Sequence, residues 1–279
     1  MRNVAVSGLP GKMATLLAET IETDERFQLL ALGLTGPDMG DLKSVQIGNR
    51  QIRICPPDER QEFLKYVLRT EEEELYSPVL IADFTHPNAV IENATFYAEH
   101  ELPFVMGTTG GDRALLNQIV EQSRISAVIA PNMAAQVVAL QAAIEYMAAT
   151  FPDAFSGFNM EVTESHQQGK VDTSGTAKAL ITQFAKLGIP FDVNDVRMIR
   201  EPTRQTAMGI AKEHLGGHGW HKYRLTLPDG TMAFEFVHNI SGRSPYVTGT
   251  MKALTFLAKQ VEDQVRGKAF SMIDVLKAG

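Results

Sequence analysis

The feature that most constrains this chain is a pair of signals that recurs through its first half: a short, wholly apolar run ending in a small or turn-forming residue, then apolar residues at helical spacing. "NVAVSG" ends at Gly8 and is followed by "KMATLLAETIE", in which Met13, Leu16, Leu17 and Ile21 fall on one helical stripe. "FQLLALGL", "SPVLIADFT", "LPFVMGTTG" and "ISAVIAPN" repeat the strand half, with helical stretches after Pro57, Pro87 and Gly111. Strands that are apolar at consecutive positions need cover on both faces, which a parallel sheet between helices provides. The pattern predicts an α/β fold with a Rossmann-like, doubly wound parallel sheet.

After Asn132 the rhythm changes. "AAQVVALQAAIEYMAATF" predicts a long amphipathic helix and "FNMEVTESH" alternates like a half-buried strand. "YRLTLPDGTMAFEFVHNI" is two alternating runs joined at Pro228-Asp229-Gly230, a hairpin turn. This is a second, α+β domain with a mixed or antiparallel sheet. The tail, "VTGTMKALTFLAKQVEDQV" and "FSMIDVLKAG", returns to helix. The predicted domains are therefore residues 1–131, on which a C-terminal return over 245–279 packs, and residues 132–244.

Charge and cysteine content remove several classes of function. With 26 basic and 33 acidic residues the net charge is −7, which argues against a nucleic-acid binder or a polybasic membrane tether. A small anionic ligand would need a local positive pocket. The single cysteine, Cys55, allows neither an intrachain disulfide nor a Cys-based zinc or iron–sulfur site. No apolar run approaches the roughly 18 to 20 residues of a membrane span, and "MRNVAVSGLPGKM" enters a strand without a leader pattern. The expected location is the cytoplasm.

The first glycine turn, Gly8-Leu9-Pro10-Gly11, joins a strand to a helix opened by Lys12 and Met13. Unpaired N–H groups at such a helix start attract phosphate. Against G-x-G-x-x-G, Val6 replaces the first glycine, Gly8 and Gly11 fit the others, and Ala14 follows as a small residue. A tight turn with no ligand fits the pattern as well; its place at the first βα turn of a parallel sheet favours a dinucleotide. The second strand ends in Leu34-Thr35, with no carboxylate to repel a 2′-phosphate, and Thr35 can donate a hydrogen bond. NADPH or NADH is the predicted cofactor. Gly107, Thr108 and Thr109, and then Ala130, Pro131, Asn132 and Met133, follow strands on the same presumed sheet edge. Small residues there admit a flat ring and Thr or Asn can bond an amide, although ordinary loop chemistry, with Asp112 as a helix cap, fits too.

"TESHQQGKVDTSGTAKAL" is the second site. Ser174 is a good N-cap for a helix carrying Leu180, Ile181, Phe184 and Leu187, which stops at Gly188-Ile189-Pro190. Its first N–H groups, with the hydroxyls of Ser174 and Thr176, suit a carboxylate, and Lys170 lies in a loop able to fold over them. His166, at the strand end, titrates near neutrality and can exchange a proton with a substrate nitrogen. A surface loop with a capping serine is the plain alternative. Arg243 is a candidate for pairing a second substrate carboxylate, whereas His238 reads as structural. His214, His218 and His221 cluster in "EHLGGHGWH", but no acidic partner stands at ligand spacing, so no metal is expected.

Glu164-Ser165-His166, then Lys170, then Asp172-Thr173-Ser174-Gly175-Thr176-Ala177 closely resembles the signature of the dihydrodipicolinate reductase family, most of all its plant and cyanobacterial branch. The resemblance spans the chain, through Gly8 to Met13, Asp83-Phe84-Thr85, "PFVMGTTGGD", Pro131-Asn132-Met133 and "FEFVHNISGRSPYVTGT". It implies hydride transfer from NADPH or NADH that turns 4-hydroxy-tetrahydrodipicolinate into tetrahydrodipicolinate, in the diaminopimelate route to lysine. His166 would be the general acid/base, Lys170 a second proton donor and substrate anchor, Gly175 with Thr176 the carboxylate-binding helix start, and Gln167 a substrate contact. Gly107 to Thr109 and Ala130 to Met133 would flank the nicotinamide. A homo-oligomer, dimer or tetramer, is also implied. Three departures from the bacterial pattern stand out: Gln167 in place of a second histidine, Thr173 alone in place of Ala-Pro, and Ala14 in place of glycine. Another NAD(P)-dependent dehydrogenase and a non-catalytic nucleotide sensor remain open readings. His166 and Lys170 beside Ser174-Gly175-Thr176 argue against both.

Overall fold

A computed structural model describes residues 1–36, 42–73 and 78–279. The chain divides into two compact units, residues 1–135 with 246–279, and residues 136–245.

In the first unit the apolar runs form β1 (Arg2–Ser7), β2 (Phe27–Leu29), β3 (Leu32–Leu34), β4 (Ser44–Ile47), β5 (Arg50–Cys55), β6 (Leu80–Asp83), β7 (Phe104–Met106) and β8 (Ser126–Ile129). Between them lie α1 (Lys12–Glu22), α2 (Arg60–Glu73), α3 (Val90–Glu99) and α4 (Arg113–Glu121). The second unit holds most of α5 (Ala135–Thr150), then β9 (Asn159–His166), α6 (Gly175–Lys186), β10 (Arg197–Ile199), α7 (Pro202–Ala207), β11 (His218–Thr226) and β12 (Ala233–Ser241). The chain then returns through α8 (Ser244–Glu262), β13 (Lys268–Phe270) and α9 (Met272–Lys277).

The first sheet runs β13-β8-β7-β6-β1-β3-β5-β4, with β2 also on β1. Its central strands are parallel, and Val4, Ala5, Val6, Leu80, Ile81, Phe104, Val105, Ala127 and Val128 are buried at consecutive positions, as a sheet covered on both faces demands. Strand order reverses at β1, so its carboxyl end is a topological switch point, where open α/β sheets take ligands.

Three local expectations need correction. "FQLLALGL" is two strands: β2 pairs Arg2 to Val4 of β1, whereas β3 meets β1 only at Ser7↔Leu34 and takes β5 as its other neighbour. The antiparallel hairpin β4–β5 was not predicted, although Val45, Ile47, Ile52 and Ile54 alternate around a turn at Gly48, whose φ is +54°. The tail is not wholly helical, because β13 adds to the sheet parallel to β8 and so ties the C-terminal return to the first unit.

The second sheet is mixed, in order β10-β9-β11-β12: β10 is parallel to β9, and the others antiparallel. Asp229 Oδ1 accepts from Thr231 N at 3.0 Å in the predicted turn between β11 and β12. One sheet face carries Met160, Val162, Tyr223 and Leu225 into a core with Leu180, Ile181 and Phe184 of α6. By strand alternation Glu164 and His221 continue those same rows, and they stand directly opposite each other in the register. The apolar rows thus end in ionisable groups.

Candidate active site

At the end of β1 the backbone turns through Gly8, whose φ is +106° and where a Cβ would lie 2.3 Å from the Phe84 carbonyl oxygen. Only glycine fits there. Gly11 N donates to Gly8 O at 2.8 Å, and α1 starts at Lys12 with no side-chain cap on its first N–H groups. That leaves donors and a partial positive charge for a phosphate. Leu9 is fully buried, so this residue offers a ligand only its backbone; Lys12 is exposed and Met13 half-buried.

The neighbouring loops differ from what their residue types suggested. The Thr35 hydroxyl donates to Leu9 O at 2.6 Å and is buried, so it braces the glycine turn and is not directed at a ribose. A Cβ on Gly107 would lie 2.2 Å from the Phe84 ring, so glycine is needed there to make room for phenylalanine. The Thr108 hydroxyl donates to Asp83 Oδ1 at 2.9 Å and accepts from Thr85 N at 2.9 Å. Thr109 is exposed and remains able to meet a ligand. Asn132 uses its Oδ1 on Ala134 N, Pro131 is exposed, and Ala130 and Met133 are buried. Asp112 caps α4 as expected. The organiser of this edge is Asp83, fully buried, which accepts from Thr85, Thr108, Asn93 Nδ2 at 2.9 Å and Tyr97 OH at 2.8 Å. Sequence reasoning gave it no role.

In the second unit, β9 delivers His166 and the turn at Gln167 to Lys170 leads to α6. His166 Nδ1 lies 3.1 Å from His218 O. A carbonyl only accepts, so that nitrogen carries the proton and Nε2 presents its lone pair. Opposite His166 stands Gly219, where a Cβ would come within 3.1 Å of the His166 ring. Glu164 is fully buried: Oε1 accepts from Arg200, Oε2 from Ser174 N at 3.1 Å. Burial opposes its charge, yet hydrogen bonds from His221, Arg200 and Ser174 hold its carboxyl well below the usual range. Burial above all, with the neighbouring His221, pushes His166 down to about 4.

Ser174 caps α6 through Oγ to Ala177 N at 3.0 Å, and the same oxygen lies 2.8 Å from His221 Nε2. Its hydroxyl is therefore spent inside the fold, contrary to its expected place on a substrate. Gly175 is exposed and Thr176 half-buried at the helix start. Lys170 Nζ bonds Asp172 Oδ1 at 2.7 Å, and Arg200 Nε holds the Lys170 carbonyl at 2.7 Å. Gln167 is exposed. The Arg243 guanidinium lies against Gly217, one residue before the carbonyl that orients His166. Of the three clustered histidines only His221 turns toward His166; its acidic partner is Glu164, distant in sequence but opposite in register. Glu164, His221 and Arg200 are the residues at this site to which sequence reasoning gave no role. A glutamate on the core-facing row of β9 was the available signal.

Family models described as "Dihydrodipicolinate reductase, N-terminus" and "Dihydrodipicolinate reductase, C-terminus" match residues 2–133 and 136–276. The chain is 44% identical over 277 residues to a probable 4-hydroxy-tetrahydrodipicolinate reductase 1, chloroplastic, of Oryza sativa subsp. japonica, covering 99% of this chain and 79% of that one. It is 41% identical over 282 residues to 4-hydroxy-tetrahydrodipicolinate reductase 2, chloroplastic, of Arabidopsis thaliana, covering 99% and 78%. A dipicolinate-bound dihydrodipicolinate reductase from Paenisporosarcina sp. TG-14 shares the fold with a TM-score of 0.65 at 20% identity, over 97% of each chain. The chloroplastic relatives lend no support to the expected cytoplasmic location, and no described helix is long and apolar enough to cross a membrane. With its two halves matched in order and plant relatives alike over almost its full length, the chain belongs to the dihydrodipicolinate reductase family.

Proposed function

We propose that this chain reduces 4-hydroxy-tetrahydrodipicolinate to tetrahydrodipicolinate with NADPH or NADH, in the diaminopimelate route of lysine biosynthesis. The observation that carries this reading is His166, its Nδ1 tied to a backbone carbonyl and its Nε2 presented, on the strand whose following turn leads through Lys170 to the start of α6. The conversion takes in one hydride and one proton and releases one water. A nicotinamide cofactor supplies the hydride, held by the uncapped start of α1 and the strand ends around Asp83. His166 supplies the proton: Nε2 takes one up, and the imidazolium passes it to the substrate. Its low proton affinity without substrate rises when a dianionic substrate arrives beside it. Lys170 and the N–H groups of Gly175 and Thr176 bind one carboxylate; Arg243 is the candidate for the other.

The test follows the near-ultraviolet absorbance of NADPH and NADH on adding the product of dihydrodipicolinate synthase. Oxidation that depends on this product supports the reading. Cofactor binding without oxidation would make the chain a sensor, and oxidation only with another carbonyl or imine substrate would make it a different dehydrogenase.

A further inference from the structure

Three ligand atoms converge where the apolar rows of the second sheet end. His166 Nε2 and His221 Nε2 are 3.3 Å apart, and Glu164 Oε2 lies 3.7 Å from the first and 3.6 Å from the second. A point equidistant from corners so placed lies about 2 Å from each, the length of a Zn–N or Zn–O bond. We infer that Glu164, His166 and His221 form a binding site for one zinc ion, and that zinc held there switches the reductase off. The inhibitory half rests on the reductase reading above; the binding half does not.

Two imidazoles and one carboxylate are the donor set of open, three-ligand zinc sites, and the imidazoles select against magnesium and calcium. The site is already formed, because Glu164 and His221 are cross-strand partners and His166 follows Glu164 on the same strand. The outer contacts of His166 and Glu164 also suit a metal, whereas His221 Nδ1 is buried with no hydrogen-bond partner among the described residues. His166 Nδ1 gives its proton to a backbone carbonyl, which aims Nε2 as metal-bound histidines are aimed, and Arg200 takes one carboxylate oxygen while Oε2, which accepts from Ser174 N, has a second lone pair for the ion. His218 is not a ligand, since its nitrogens meet Ser165 Oγ at 2.9 Å and His214 O at 3.1 Å. His221 Nε2, which bonds Glu164 and lies 2.8 Å from Ser174 Oγ, must give up its proton when the ion enters. Arg200 opposes a dication, so weaker, reversible binding is expected rather than a permanent structural ion. Zinc would occupy the lone pair that His166 uses for its proton, which is why bound metal stops the reaction.

The experiment uses the full chain freed of metal with a chelator. Cobalt(II) is titrated as a spectroscopic stand-in, read by the visible bands of a four- or five-coordinate ion, and zinc by calorimetry. One ion per chain is expected, with affinity reduced roughly tenfold or more in His166→Gln and in His221→Gln. His214→Gln, outside the site, should bind as wild type does. Circular dichroism checks each fold, and if His221→Gln misfolds, His166→Gln on its part-exposed ring gives the same readout. Zinc should inhibit NADPH oxidation and chelator should restore it. No uptake by wild type, unchanged affinity in a folded ligand variant, or loss in His214→Gln overturns the site. Binding without inhibition overturns the switch. A chain that binds zinc yet shows no reductase activity in its absence overturns the functional reading and leaves the site standing.

Discussion

Glu164→Gln is the sharpest single test of how the second site is held together. The side chain is fully buried, its oxygens engaged by Arg200 and by Ser174 N, with both imidazoles beyond. Glutamine keeps the shape but turns one acceptor into a donor, so whichever way the amide faces, an N–H meets an N–H. Arg200, only 15% exposed, also loses its counter-charge. Breaking a buried ion pair costs about 3–5 kcal/mol. Arg200 retains the Lys170 carbonyl at 2.7 Å and that of Asp172 at 3.3 Å, which puts the loss near the lower end, about 3 kcal/mol. Urea unfolding read by fluorescence suits the purpose, because the single tryptophan, Trp220, sits on β11 within this unit. A double-mutant cycle with Arg200→Gln should give a coupling of about 2 kcal/mol, since the second change removes the stranded cation. A loss below about 0.5 kcal/mol, typical of an inert surface site, or strictly additive changes, would refute this account of the buried pair.

His166→Ala should lower kcat by roughly 10² or more with cofactor binding unchanged, and near-normal turnover would remove the acid/base assignment. Thr176→Val should raise KM and weaken inhibition by pyridine-2,6-dicarboxylate with unchanged circular dichroism; equal inhibition of both proteins would move the carboxylate site elsewhere. Thr35→Val removes the 2.6 Å bond to Leu9 O and should raise KM for NADPH and NADH by similar factors, whereas a changed preference would mean that the hydroxyl reaches the ribose. Burial first, then the charge of His221, lowers both His166 and His238 to about 4. The folded chain therefore binds fewer protons than the unfolded chain, whose imidazoles titrate near pH 6.5. Stability is full above about pH 6.5, falls as pH drops toward 4 and then levels off. Urea midpoints in chelator should fall between pH 7 and 5 by more in wild type than in His238→Gln; parallel curves would contradict this.

Local signals carried far in this sequence. The apolar stripe of "KMATLLAETIE" is α1, Ser174 caps α6 and Asp112 caps α4, because capping and periodicity are decided within a few residues. Which partner a polar group takes within the fold was not legible. Thr35 and Thr108 have hydroxyls able to meet a cofactor, yet each is claimed by a buried group of the protein, Leu9 O in one case and Asp83 in the other. A buried carbonyl or carboxylate left without a donor is costly, so it takes the nearest hydroxyl before any ligand arrives. Nothing in residue type alone reveals that competition. The hairpin β4–β5 was hidden for another reason: its alternation is short and lies beyond a segment read as a simple βα repeat.

The second site was legible by composition and illegible by register. A strand's side chains alternate, so once β9 buries Met160 and Val162 it must also aim Glu164 inward, and an isolated buried carboxylate needs cationic or N–H partners. Those partners come from three places distant in sequence: Arg200 beyond β10, Ser174 at the α6 start and His221 on β11. A slip of one residue between β9 and β11 would set Glu164 against Trp220 or Lys222 and turn His221 to the other face. The same slip would carry Gly219 away from His166, whose ring no Cβ could comfortably face. Register is therefore the element of the fold that creates the chemistry: one alignment of two strands orients the imidazole, places its acidic neighbour and frees the space in which the ring sits.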